Sequence, residues 1–373
     1  MRILIDLTSL NDNFSGIERY ALNIAKNMIL QDRENYYILI FKNEIHKEFL
    51  EYKDMENISI RVFNGNNKLV FNQLILPLKL YKNKADLYLF FAFPSPILFR
   101  NKNCISTVHD LTAWLYPETM NFKSKLFFKA AIKNAIRSNR CILTVSESSK
   151  NDIISKFNIN KIEVIGNGVS QVFENFKYNE SNSIRIKEKY KLPNKYILSL
   201  GTLEPRKNLK RLMEAYSELI KENKIEEKLV LVGRKGWNLD KVISKDILDV
   251  CKNDIIFTGF VDDEDLPYIY NSANLFVFPS IYEGFGIPVI ESISVGTNVI
   301  ISDIKSLNEI TASSALKFNE YDVNDIKNTL IKALELDEEK KIGIIKVLKK
   351  NIKKYSWKIE AKELINLVNT DKI

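Results

Sequence analysis

Short apolar runs alternate with helix-like segments along this chain, and the alternation happens twice. In the first half the runs cover residues 2–7, 37–41, 58–62, 86–91, 104–108, 141–145 and 162–165. Each has strand length and a near-continuous apolar character, as strands covered on both faces require. Between them lie segments such as the one from Gly16, which puts Ile17, Ala21, Ile24, Ala25 and Met28 on one face of a helix. Such alternation implies a parallel sheet with helices on both sides. From 173 to 195 the pattern dissolves into Asn, Glu, Ser and Lys, which reads as a linker. The alternation then restarts at 196–200, 229–232, 255–258, 275–278 and 298–301. In the tail, Ser356 is placed to cap a helix with Trp357, Ala361, Leu364 and Val368 on one face. The expectation is two successive α/β domains, 1–175 and 190–355, followed by a C-terminal helix over 356–373. Open parallel sheets bind ligands beyond the carboxyl ends of their strands, so two such domains facing each other would make one cleft.

Composition narrows the function. At 373 residues the chain has ample length for two cores. With 45% hydrophobic and 27% charged residues it is ordinary for a globular protein. Its apolar runs fall well short of the ~20 residues a membrane span needs. The opening MRILIDL reads as a first strand, not a secretion signal. Cys104, Cys141 and Cys251 are odd in number, far apart and set in apolar runs, which predicts buried free thiols in a cytoplasmic protein. With His46 and His109 as the sole histidines, no His/Cys metal centre is expected. The net charge of +8 favours anionic partners: a nucleoside diphosphate, a membrane surface or nucleic acid. No stacking-aromatic and basic module of a nucleic-acid fold is visible, so no nucleic-acid partner is expected.

Residues 279–303, PSIYEGFGIPVIESISVGTNVIISD, carry the chemistry. An apolar strand leads in, Pro288 suits a first helical position and Gly296 closes the helix. Around Gly284 and Gly286 the backbone N–H groups are expected to face outward at a helix N-terminus, a ready anion site. Glu283 precedes that helix and Glu291 lies a turn inside it, both suited to accept bonds from sugar and ribose hydroxyls. Gly201-Thr-Leu-Glu-Pro-Arg206-Lys207-Asn208 follows the first strand of the second half. Its guanidinium fork and ammonium point charge suit a diphosphate. His109 and Asp110 end a strand of the first half, and Gly16 opens its first helix.

In order and spacing these segments, with Val145-Ser-Glu-Ser148 and Asn167-Gly-Val169, resemble the retaining glycosyltransferases of family 4, above all bacterial polysaccharide mannosyltransferases. The resemblance spans nearly the whole chain and implies the GT-B fold of two Rossmann-like α/β domains facing across a cleft, with the C-terminal helix 356–373 packing back on the first. It implies a hexosyl transferase that needs no cofactor or metal, with GDP-mannose as the first guess for donor. It also implies a growing polysaccharide or polyprenyl-diphosphate-linked glycan as acceptor. His109, Asp110 and Glu283 would then line the reacting centre. Gly16, Arg206, Lys207, Glu291 and the amides of Gly284, Phe285, Gly286 and Ile287 would hold the donor. Thr202 stands where the family often has arginine, so that role passes to Arg206. A nucleotide-sugar epimerase or phosphorylase of the same fold is the alternative.

Two segments stand apart. Asp263-Glu264-Asp265 has the D-x-D form of metal-chelating transferases, but Asp262 reads as a helix N-cap with acids in the first turn. Residues 117–140 read as a basic helix with Lys125, Lys129, Lys133 and Arg137 on one face. It suits either a solvated surface or peripheral contact with an anionic membrane, which would place the enzyme at the inner face.

Overall fold

Among the described residues of the computed structural model every strand pair is parallel, and the strands form two sheets. The structure describes residues 1–11, 16–236, 242 and 245–370. It divides into two compact units: Met1–Gly168 with Tyr355–Ile373, and Val169–Lys354.

The first unit holds β1 (Arg2–Asp6), β2 (Tyr36–Lys42), β3 (Ile58–Phe63), β4 (Leu87–Phe90), β5 (Cys104–Thr107), β6 (Cys141–Thr144) and β7 (Ile162–Val164). Their order is β3-β2-β1-β4-β5-β6-β7, so the winding reverses between β1 and β4. All seven expected strands are present, with ends shifted by a residue or two. Helix Gly16–Gln31 buries Ala21, Ile24, Ala25 and Met28 as its periodicity predicts. Cys104 and Cys141 are buried free thiols whose pKa values burial pushes up to about 12.

The tail joins this unit. Helix Trp357–Asn369 packs on Gly16–Gln31, and Trp357 sets its ring edge-on to Tyr20 at 5.9 Å. The buried carboxylate of Glu360 accepts from the Gly166 amide, and the Asn35 amide donates to Asn369 at 2.9 Å. Ser356 takes the N-cap position, but its side chain makes no capping bond.

The second unit holds β8 (Tyr196–Leu200), β9 (Lys228–Val232), β10 (Ile255–Gly259), β11 (Leu275–Phe278), β12 (Val299–Ser302) and β13 (Leu316–Phe318), ordered β10-β9-β8-β11-β12-β13. Its reversal lies between β8 and β11. Helix Leu209–Lys221 buries Leu212, Met213, Tyr216 and Leu219 against this sheet. The expected linker needs correction. The unit begins at Val169, and within 173–195 lies helix Glu180–Lys189, started by Asn179, whose side chain accepts from Asn182 N. This helix packs on Leu266–Asn271. A polar helix held by a cap and ion pairs leaves little apolar periodicity to read.

Candidate active site

In the second unit the two motif loops leave the carboxyl ends of β8 and β11, the neighbours that flank the reversal of strand order. That is where an open α/β sheet takes a ligand. Gly201 ends β8 at φ +155°, and a Cβ there would press on the Lys207 stem at 3.2 Å. Pro205–Lys207 forms a 3₁₀ turn, and Asn208 closes it at φ +57°, a left-handed conformation that Asn tolerates. The Asn208 side-chain amide donates to the carbonyls of Pro279 at 3.0 Å and Glu320 at 2.7 Å. The Ile281 amide donates to the Arg206 carbonyl at 3.0 Å. The two loops are thus fastened to each other by the Asn208 side chain and by a backbone–backbone bond.

Their side chains meet in a four-membered charge cluster. Glu283 accepts from Arg206 Nη1 at 2.6 Å and from Lys207 Nζ at 2.5 Å. Arg206 Nη2 donates to Glu204 at 2.8 Å, and Nη1 also donates to the Tyr282 carbonyl at 2.8 Å. The Lys207 ammonium lies over the Phe278 ring, 5.0 Å from its centroid. Burial by itself would raise the Glu283 pKa, but the attraction of Arg206 and then Lys207 outweighs it and pulls the carboxyl down to about 2. Glu283 is therefore ionised throughout the physiological range. Two cations face two carboxylates, so the cluster is formally neutral.

The arrangement departs from expectation at three points. Arg206, read as a free fork for a diphosphate, is here bonded to Glu204, Glu283 and a carbonyl, because two carboxylates lie within its reach. Gly284, Phe285 and Gly286 are buried instead of bare. Gly286 stands at the N-cap of helix Ile287–Ser294 with φ +144°, and a Cβ there would come within 2.7 Å of Leu307. Glu291 is only 3% exposed and receives the Tyr270 hydroxyl at 3.3 Å. Glu204 and Asn208 were not picked out by sequence reasoning, although Asn208 belongs to the Pro-Arg-Lys-Asn turn that was.

In the first unit, His109 and Asp110 follow β5. His109 Nε2 lies 2.8 Å from the Phe91 carbonyl, so the ring proton sits on Nε2. Desolvation lowers its pKa, which keeps the imidazole neutral near pH 7. The Asp110 carboxylate accepts from the Thr112 amide at 2.8 Å and steadies the turn after the strand. Gly16 begins helix Gly16–Gln31, while its neighbour Ser15 lies outside the described residues.

The acidic run is bound up elsewhere. Asp262 and Asp265 accept from Lys189 Nζ at 2.8 and 2.6 Å. The helix they precede, Leu266–Asn271, has Asp265 at its N-cap position with no side-chain capping bond, so the capping role expected of Asp262 is not what the structure shows. Among the described residues no group of three or more His, Cys, Asp or Glu could hold a metal ion.

Two family models match the chain: "Glycosyltransferase Family 4" over residues 14–171 and "Glycosyl transferases group 1" over 180–354. The O-antigen chain mannosyltransferase B of Escherichia coli is 31% identical over 268 residues, covering 72% of this chain and 70% of that protein. The chain belongs to the family 4, group 1 glycosyltransferases. It is also 33% identical over 238 residues to the serotype-specific mannosyltransferase WbdA of Escherichia coli, where it spans 29% of that longer protein. Among solved structures, HepE of Anabaena in complex with UDP and glucose aligns over 99% of both chains with a TM-score of 0.74 at 17% identity. WaaG, a glycosyltransferase involved in lipopolysaccharide biosynthesis, aligns over 99% of this chain and 100% of its own, with a TM-score of 0.73 at 13% identity. At such identities the likeness is one of fold, and the fold is that of the GT-B glycosyltransferases.

Proposed function

We propose that this glycosyltransferase moves a mannosyl unit, with retention, from GDP-mannose to a growing cell-surface polysaccharide or lipid-linked glycan. The observation that carries the reading is the ionised Glu283 held at the carboxyl end of β11 by cations from the end of β8. A carboxylate kept anionic and oriented accepts strongly from sugar hydroxyls. The likeness to a mannosyltransferase over most of both chains supports the choice of sugar.

In the reaction the bond from the anomeric carbon to the diphosphate oxygen breaks, and the acceptor oxygen bonds to that carbon on the same face. The acceptor proton passes to the departing phosphate. Charge building on the leaving oxygen is met by Lys207, whose flexible stem lets the ammonium turn from Glu283 to the phosphate, and by the amides that open helix Ile287–Ser294. Arg206 acts by holding Glu283, and Glu291 takes the ribose through a local rearrangement of its pair with Tyr270. His109 and Asp110 serve the transferred sugar, the former as a neutral acceptor through Nδ1, and Gly16 leaves room for the donor phosphates. A panel of nucleotide sugars, read by thermal stabilisation and by net transfer to acceptor, tests the proposal. GDP-mannose should stabilise most and its sugar should appear on acceptor. Epimerised or phosphorolysed sugar without transfer would replace this reading.

A further inference from the structure

The helical run 68–82 of the first unit is apolar on both sides. It is α-helical at Lys68–Val70 and Leu76–Lys82, with a π turn at Phe71–Ile75 between. Its inner side seats Phe71, Leu76 and Leu80 in the core with almost no exposure. Its outer side carries Leu69, Val70, Leu74, Leu78 and Tyr81, each between 45 and 65% exposed. Positions 70, 74, 78 and 81 recur at helical spacing and so form one stripe. A helix with a second apolar stripe opposite its core side is suited to contact with another apolar medium. This one lies at the surface of its unit.

The surrounding charge says which medium fits. Residues 64–102 contain six Lys and Arg against one acid, Asp86, and that acid already accepts from the Arg2 amide at 2.7 Å. The loop after β4 touches this run, through Gln73 to the Ile97 amide and through Tyr81 against Phe99, and it carries a further exposed leucine, Leu98. At its other end Phe93 contacts Phe128 of helix Phe122–Ser138. Residues 121–140 hold six cations and no acid. A second copy of the chain docking here would bring like charges together, whereas an anionic bilayer would meet apolar side chains and cations at once.

We infer that the stripe Leu69–Val70–Leu74–Leu78–Tyr81 enters the acyl boundary of an anionic membrane, with the neighbouring lysines and arginines at the headgroups. This is independent of the donor chemistry. Two components of binding follow. The cationic part falls as salt shortens the screening length, to about 3 Å at ~1 M. The apolar part persists, and each leucine withdrawn from water strengthens partitioning by about tenfold.

The test is co-sedimentation of the full chain with phosphatidylcholine vesicles holding rising fractions of phosphatidylglycerol, at low salt and at ~1 M. Wild type should bind more as the anionic fraction rises and keep a residual affinity at high salt. Leu74→Ser with Leu78→Ser should lose roughly a hundredfold at both salts, with circular dichroism and transfer to a water-soluble acceptor unchanged. Lys129→Glu with Lys133→Glu should lose affinity chiefly at low salt. Wild type left in the supernatant at every composition, or a serine variant that binds as wild type does, overturns the inference while soluble transfer reports separately on the donor site. So does a wild-type dimer in analytical ultracentrifugation that the serine variant turns to monomer, because the stripe is then a protein interface.

Discussion

Glu283 is held by two cations, and one of them, Arg206, is held in turn by Glu204. At this scale the acidic partner matters as much as the basic one. Glu204 is almost wholly buried, and its carboxylate turns the guanidinium toward Glu283. If Glu283 holds the donor as proposed, removing it strips the site of one or two charge-assisted bonds to donor hydroxyls, each ~1.5–3 kcal/mol. Glu283→Ala should therefore lower kcat/KM roughly ten- to hundredfold or more. It also leaves two partly buried cations short of a partner, at a cost of ~3–5 kcal/mol, so thermal unfolding should move down as well. Steady-state kinetics like wild type in the folded variant would dismiss Glu283 from the site. The same pair gives a pH signature. The native carboxyl sits at about 2 against an ordinary 4.5, so its stabilisation is complete above 4.5 and fades as pH falls from there toward 2. Denaturant midpoints of wild type and Glu283→Gln should converge across that window, and a gap that stays constant on acidification would contradict the assignment. Glu283 and Lys207 were legible because they stand in recognisable runs. Glu204 was not, since only the direction taken by Arg206 shows that the acid beside Pro205 faces inward.

Among the elements, the long apolar strands were the easiest to read, because a strand covered on both faces has no polar alternation to disguise it. β13 escaped: it is Leu316-Lys317-Phe318, three residues with a lysine in the middle, and Lys317 pairs with Asp303 outside the sheet. Helix Glu180–Lys189 escaped for a related reason. Apart from the buried Ile186, its hold on the second unit runs through polar groups, with Lys189 bridging Asp262 and Asp265 and Tyr190 donating to Asp265 at 2.9 Å. Those bonds bear on the acidic run as well. Acids committed to Lys189 and Tyr190 anchor one helix beside another and are poorly placed to share a cation. Transfer should accordingly continue in excess EDTA, while Asp265→Ala should lower the melting temperature and leave KM for the donor unchanged. Activity abolished by the chelator and restored by Mn²⁺ would return the run to catalysis.

At the scale of the molecule, the two sheets share one plan, with strand order reversing beside the first strand of each unit. The alternation of runs was enough to foresee two parallel sheets but not their strand order, and the boundary was harder, because the polar stretch that marks it is itself partly helical. The tail is what makes the first unit depend on distant sequence. Glu360, Trp357 and Asn369 bond to or pack on Gly166, Tyr20 and Asn35. A chain ending at Lys354 should keep the unfolding transition of Val169–Lys354 and lose or sharply weaken that of the first unit. Two undisturbed calorimetric transitions in the shortened chain would show that the helix is dispensable.

This closure has a consequence in time. A ribosome adds ~5–20 residues per second, so after Gly168 emerges the whole of Val169–Lys354 must be made before Tyr355–Ile373 can reach its place. For roughly ten to forty seconds at those rates, the seven-stranded sheet stands with the outer face of helix Gly16–Gln31 uncovered. The nascent chain thus offers that apolar face to chaperones for most of its synthesis, and its first unit is the last to be finished.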